Sequence, residues 1–177
     1  MADADEEFTA FADAASARLL NTAYLLCGDW HTAQDLTQTT LAKVYAAWHR
    51  IGRPDAVFAY ARGTLLNTYF VDCRRSRRRE VLAAPGDLPD RPDEPATPEL
   101  RLALADALAT LPPQARAIVV LRYWEDLSVE QVAAQLGCSA GSVKSQSSRS
   151  LDRLRALLGN TLAEPSESAG QAPSRTR

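Results

Sequence analysis

Between residues 142 and 153 the chain lines up Ser142, Lys144, Ser145, Gln146, Ser147, Arg149 and Arg153. None of these is a nucleophile–base pair. All are donors or acceptors of the kind that read base edges, with Lys, Arg and Gln suited to G or A in a DNA major groove. Further upstream, Arg74-Arg75-Ser76-Arg77-Arg78-Arg79 packs five guanidinium groups into six residues, enough to neutralise several phosphates and release their counterions. A solvated helix end would be the plainer use of such a run, because arginines also suit the negative end of a helix dipole. Phe58, Tyr60, Tyr69 and Phe70 precede it; aromatics beside a basic helix can stack on unpaired bases, but core packing is the more usual use of such residues. Asn67 stands in the apolar run Leu65-Leu66-Asn67-Thr68, where its amide needs either a structural partner or a base edge.

Groups that read DNA need rigid elements to hold them. Ser128 can cap a helix, Gln131 completes a capping box three residues on, and Leu127 and Val132 occupy the staple positions. Gly137 ends that helix where a positive φ is expected, and Ser139 caps the next. The second helix turns Val143, Leu151, Leu154 and Leu158 inward and leaves the polar set outward. This spacing predicts a helix-turn-helix whose second helix enters a major groove. The very apolar segment 114–125, with Ile118-Val119-Val120-Leu121, Tyr123 and Trp124, is expected to supply the core beneath it. Residues 99–111 form another helix, and Pro112-Pro113 restarts the chain.

In the first half, Phe8, Phe11, Ala15, Leu19, Ala23 and Leu26 recur at helical spacing, and Gly28-Asp29 breaks the pattern. A second amphipathic segment, 31–48, puts Ala33, Leu36, Leu41, Val44 and Trp48 on its core face. Gln34, Asp35, Gln38, Thr39 and Lys43 lie on the other face, which by spacing alone reads as a wet face more readily than as a docking face. A long helix over about 55–79 follows, with an interruption near Asn67. No segment alternates like a strand, so the chain is read as all-α.

The 177 residues carry a net charge of only −2, but the charge is unevenly spread. Residues 17–79 are net +6, residues 80–99 net −5 and residues 100–160 net +2, so two basic blocks flank an acidic spacer. Residues 80–98 hold five of the ten prolines and read as an extended linker able to span up to roughly 60 Å. The expected organisation is therefore two small helical domains: 6–79, then the linker 80–98, then 99–159, with 160–177 a disordered tail. Cys27, Cys73 and Cys138 lie far apart without metal-ligand spacing, so neither a zinc site nor a disulfide framework is expected. A cytoplasmic setting is the default, with no signal pattern and no membrane-length apolar run. His31 and His49 lack carboxylate partners in the sequence, and no phosphate-binding glycine loop occurs. Enzymatic chemistry and cofactors are not expected.

Taken in order, these motifs resemble the extracytoplasmic-function (ECF) sigma factors of bacterial RNA polymerase across nearly all of residues 8–158. Gly28-Asp29-Trp30-His31-Thr32-Ala33-Gln34-Asp35-Leu36-Thr37-Gln38 resembles that family's regions 2.1–2.2. Residues 59–72 with the following arginines resemble regions 2.3–2.4. Leu111-Pro112-Pro113-Gln114-Ala115-Arg116 and the helix-turn-helix resemble region 4. Gly141-Ser142-Val143-Lys144-Ser145-Gln146 resembles the actinobacterial SigE branch. More usual family members carry Arg at the position of Gln146 and an apolar residue at that of Ser147, a departure that bears on the −35 sequence read and not on the class.

The resemblance implies a non-catalytic subunit that binds core RNA polymerase and directs it to promoters. It implies that Asp35, Leu36, Gln38, Thr39 and Lys43 dock on the clamp coiled coil of the largest subunit. Asn67, Tyr69, Arg74, Arg75, Arg77 and Arg78 would hold the opened −10 non-template strand. Ser142, Lys144, Ser145, Gln146 and Arg149 would read the −35 duplex, while the outer surface of region 4 meets the flap of the second-largest subunit. Whether an anti-sigma factor is a further partner stays open. A free-standing helix-turn-helix regulator, binding its operator without polymerase, is the rival reading. An adaptor with a solvated basic run is the third.

Overall fold

The computed structural model describes residues 2–51, 54–82 and 98–163, and all regular structure among them is helical. The expected linker and tail fall largely outside these residues. Seven α-helices follow in order: α1 Ala2–Cys27, α2 Trp30–Ala47, α3 Pro54–Leu82, α4 Pro98–Ala109, α5 Pro113–Val119, α6 Val129–Leu136 and α7 Ala140–Ala163. A 3₁₀ turn, Trp48–Arg50, extends α2, and a π-helical turn, Val120–Trp124, extends α5.

Local sequence explains most boundaries. Gly28 takes φ 74° and its N–H reaches the Tyr24 carbonyl at 2.8 Å, which closes α1. Asp29 then caps α2 by accepting from the Thr32 N–H at 2.7 Å. Pro113 opens α5 from the first-turn position that proline suits. The helix α3 runs unbroken through Asn67, in contrast to the expected interruption. The Asn67 side chain is exposed, so water serves its amide and the ladder need not open. At their far ends, α3 continues to Leu82 and α7 to Ala163, a few residues beyond the expected domain limits.

Helices α1, α2 and α3 pack as one bundle, and α4 to α7 as another. Phe8 sits edge-on to Tyr45 and Trp48, with ring centroids 4.8 and 5.3 Å apart, and pins the start of α1 to the end of α2. Leu19, Leu26, Leu65 and Leu66 fill the first core; Ile118, Leu121, Val132 and Val143 fill the second. Each such side chain contributes about 1.5–3 kcal/mol by leaving water. Tyr123 and Trp124 depart from their expected place in that core, being 52% and 50% exposed. The π-helical turn shifts the register of the last residues of the apolar segment, so the stripe that buries Val120 and Leu121 ends before them.

The two bundles are not held apart. Helix α1 packs against α4, α5 and the π-helical turn, and α3 against α5, so that buried residues of both halves form one continuous core. An image of two modules separated along a tether does not describe this state.

Candidate nucleic-acid interface

The helix-turn-helix forms as its caps dictate. Ser128 accepts from the Gln131 N–H at 3.1 Å, and the Gln131 side chain accepts from the Ser128 N–H at 2.8 Å, a complete capping box. Gly137 takes φ 63° at the turn, and Ser139 accepts from the Ser142 N–H at 3.1 Å to start α7. Leu127 and Val132 are both buried, as a staple requires. The helix start also supplies an amide that holds the exposed Glu130 carboxyl below its usual range, helped by Ser128 and Lys144.

On α7, Lys144, Ser145 and Arg149 are exposed, and Ser142 and Gln146 are half-buried. These five lie within two helical turns and are organised among themselves. Gln146 Nε2 donates to the Ser142 hydroxyl at 2.9 Å, and Arg149 Nε donates to the Ser145 carbonyl at 3.2 Å. The set presents amide, ammonium and guanidinium donors on one ridge, with no acidic side chain among them, which fits base edges and phosphates.

Ser147, grouped with the polar face from sequence, points inward and is 6% exposed; its Oγ finds no partner among the described residues. The burial explains why an apolar residue is usual there. An orphaned buried hydroxyl costs about 1–3 kcal/mol. Ser147→Ala is therefore expected to stabilise the fold, with a rise of roughly 2–4 °C in Tm for a gain near 1 kcal/mol, read by calorimetry.

In the first bundle, Asp35, Gln38, Thr39 and Lys43 form an exposed stripe along α2, whereas Leu36 is 4% exposed and packs into the core beneath them. Lys43 Nζ donates to the Thr68 hydroxyl on α3 at 2.9 Å. This bond ties the stripe to the segment carrying Asn67. A cleft of about 500 Å³ lies between the helices, with Asp35, Thr39 and Lys43 on one wall and Thr68, Asp72 and Arg75 on the other. Arg74 and Arg75 are exposed. The backbone of Arg77 and Arg78 continues α3, and their side chains lie outside the described residues.

Tyr69 departs from its expected role. It is 2% exposed, and burial pushes its phenol above the ordinary range. A ring in that position supports α3 from within and does not offer a stacking face. Its period places it with Leu65 and Leu66 on the core side, while Asn67 faces water.

Cys27 is a further group of note, a half-buried thiol. Burial pushes its thiol up to about 11, and its Sγ lies 3.1 Å from the Asp29 carbonyl. At pH 7.5 almost none of it is thiolate. Alkylation of Cys27 by iodoacetamide should be far slower than that of a free cysteine near pKa 8.5 and rise only as pH approaches 11. Rapid modification at neutral pH, followed by peptide mass spectrometry, would contradict this.

Five side chains outside the expected site meet where the bundles touch: Arg18, Thr22 and Arg62 around Glu125, and Arg116 at the end of α1. The sequence signal was present, since Glu125 is an acid closing an apolar run and Arg62 a base inside another. Their pairing joins residues some sixty to a hundred positions apart, so no local pattern reveals it.

A capped helix-turn-helix with a donor-lined second helix, beside a second bundle ending in arginines, defines a helical DNA-binding protein of two unlike modules. Residues 12–79 match the family described as Sigma-70 region 2, and residues 101–154 match Sigma-70, region 4. The chain is 40% identical over 151 residues to the RNA polymerase sigma-E factor of Streptomyces coelicolor, covering 84% of each. It is 42% identical over 139 residues to that of Streptomyces antibioticus, covering 77% of this chain and 76% of the relative. Among solved structures, the sigma factor RpoE of Bartonella quintana, in complex with the anti-sigma factor NepR, superposes with a TM-score of 0.71 at 27% identity. That match covers 87% of this chain and 98% of the other. The chain belongs to the sigma-70 family, as an ECF RNA polymerase sigma factor, and directs promoter-specific initiation of transcription.

Proposed function

We propose that the two bundles divide promoter recognition between opened and duplex DNA. The first, within 6–79, engages core polymerase and the −10 element; the second, within 99–159, engages the −35 element. On α2, Asp35, Gln38, Thr39 and Lys43 dock on the clamp coiled coil of the largest subunit, with Leu36 shaping the helix from below. Asn67, exposed one turn from Thr64 on α3, takes the edge of a base flipped from the non-template strand. Arg74 and Arg75, with Arg77 and Arg78 beyond them, hold the adjacent phosphates. On α7, Lys144, Gln146 and Arg149 enter the −35 major groove, steadied by Ser142 and Ser145. The outer surface of the second bundle meets the flap of the second-largest subunit. Residues 80–98 connect the modules across the RNA exit path.

The observation that carries this reading is the shared cleft between α2 and α3, where the Lys43–Thr68 bond joins the docking stripe to the strand-holding segment. Polymerase and opened DNA can then be held by one rigid pair of helices. The chain itself performs no catalysis, since the chemistry of RNA synthesis belongs to the polymerase, and it works in the cytoplasm. Among the described residues no helix is long and apolar enough to cross a membrane. An anti-sigma factor is a natural further partner, as RpoE of Bartonella quintana is found with NepR. With a net charge of −2 the free chain binds DNA weakly, and tethering by polymerase supplies the missing effective concentration.

Asp35→Arg tests the docking surface. Asp35 is exposed and its side chain is not needed for the core. The variant should keep its helicity and Tm while affinity for core polymerase, measured by fluorescence anisotropy, falls on the order of tenfold or more. Unchanged affinity would remove α2 from the polymerase interface.

A further inference from the structure

A carboxylate taken out of water must be compensated, and among the described residues Glu125 is compensated from the other bundle. Its side chain is 1% exposed. One oxygen lies 2.7 Å from Arg18 Nη2 and 3.8 Å from Arg62 Nη1; the other accepts from the Thr22 hydroxyl at 2.6 Å. Arg18 and Thr22 are on α1, and Arg62 is on α3. The Arg18 guanidinium also lies over the Phe58 ring, 4.4 Å from its centroid. Asp126 follows with φ 52°, a left-handed turn that ends the π-helical segment just beyond Glu125. A second polar contact repeats the logic in reverse: Arg116 of α5 donates to the Leu26 carbonyl at 2.6 Å, at the end of α1 where the helix dipole favours a cation.

We infer that Glu125 is a latch that holds the chain in a closed state, one in which the two bundles cannot read their promoter elements together. The inference rests on the two-element reading proposed above. Elements named for positions −35 and −10 lie about 25 base pairs apart, or roughly 85 Å of duplex at ~3.4 Å per pair. The closed state does not allow that reach. At Gly63 a Cβ atom would meet Gln135 Nε2 at 2.8 Å, so α6 comes close to α3 there. Asn67 is one turn further along α3, about 6 Å at ~1.5 Å per residue. The recognition helix α7 packs directly on α6, with axes about 8–10 Å apart in such contacts. The residues proposed for the two elements therefore lie only a few tens of ångströms apart at most. Lys144, Arg149, Asn67 and the α2 stripe are all accessible in this state, so the latch restricts span and not access.

The chemistry suits a reversible catch. A buried ion pair is held by good geometry against a large desolvation cost, so the closed state gains specificity of arrangement more than net stability. Opening returns Glu125, Arg18 and Arg62 to water, and a polymerase that binds only the open chain draws the equilibrium toward it.

The test uses the full chain with Glu125→Gln and, separately, Arg62→Gln, which removes a partner from the opposite bundle. Small-angle X-ray scattering of free protein reads the span directly. Both variants should show a larger radius of gyration than wild type at native helicity by circular dichroism. Both should bind core polymerase several-fold more tightly, with unchanged affinity for an isolated −35 duplex. If either variant loses helicity, Arg18→Gln replaces it, since that side chain is half-exposed and outside the core. An unchanged radius in the variants overturns the latch. Expansion in Glu125→Gln with none in Arg62→Gln turns the test to Arg18→Gln, whose guanidinium holds the same oxygen at 2.7 Å; no expansion there either overturns the latch, because the carboxylate would then act without its cross-bundle arginines. Expansion without any change in polymerase affinity would instead count against the two-element reading.

Discussion

Reversing both charges in Arg74→Glu with Arg75→Glu should reduce open-complex formation by on the order of a hundredfold or more while leaving core binding intact. Both guanidinium groups are exposed near the end of α3. Each phosphate contact to single-stranded DNA contributes about 0.7 to the slope of log K against log salt, so losing two should flatten that slope by roughly 1.4 even before repulsion is counted. Neither residue packs in the core, and the proposed docking stripe lies on a different helix, so binding to polymerase should survive. Permanganate footprinting of the melted region across a salt series would read both effects. Lost core binding in a folded double variant, or an unchanged salt slope, would contradict the assignment of these arginines to the −10 strand.

Removing Lys144 and Arg149 together, each to Ala, should weaken transcription that depends on the −35 element by roughly 30-fold to several hundredfold. A good contact to a base edge is worth about 1–3 kcal/mol of discrimination, and a factor of ten corresponds to ~1.4 kcal/mol. The lower half of that range is expected here. Arg149 already donates to the Ser145 carbonyl, and its terminal nitrogen lies 3.4 Å from the Ser145 hydroxyl, so contact with DNA exchanges bonds instead of adding them. Both side chains are exposed, which leaves the fold of the helix-turn-helix to its caps and to Val143 and Leu154. Competition between wild-type and scrambled −35 duplexes would separate loss of sequence reading from loss of general affinity. Wild-type transcription from the double variant would mean that another face of α7 meets the DNA.

How far such features could be read from sequence depended on how local their physics is. The helix-turn-helix was legible down to individual hydrogen bonds, because Ser128, Gln131, Gly137 and Ser139 act within four residues of themselves. Faces of helices were legible where apolar spacing was dense, as with Leu19, Ala23 and Leu26. They were misassigned where a polar or amphipathic residue sat on the inner stripe. Ser147 and Tyr69 are buried for that reason, since position on the helix overrides residue type. Leu36, in turn, supports the proposed docking stripe from the core side. Asp29 as the cap of α2 was hidden by the turn that Gly28 announces. The closed packing of the two bundles was out of reach. Arg18 and Glu125 are 107 positions apart and Arg116 and Leu26 are 90, and nothing in either neighbourhood names its partner.

The central claim is that this chain makes a promoter-specific holoenzyme. In vitro transcription of fragmented genomic DNA by purified core polymerase, with and without the protein, tests it most directly. Discrete new start sites that appear only with the protein, and that share two upstream elements at a constant spacing, are the predicted result. No new starts, together with tight duplex binding by the protein in the absence of polymerase, would contradict it and favour a free-standing helix-turn-helix regulator.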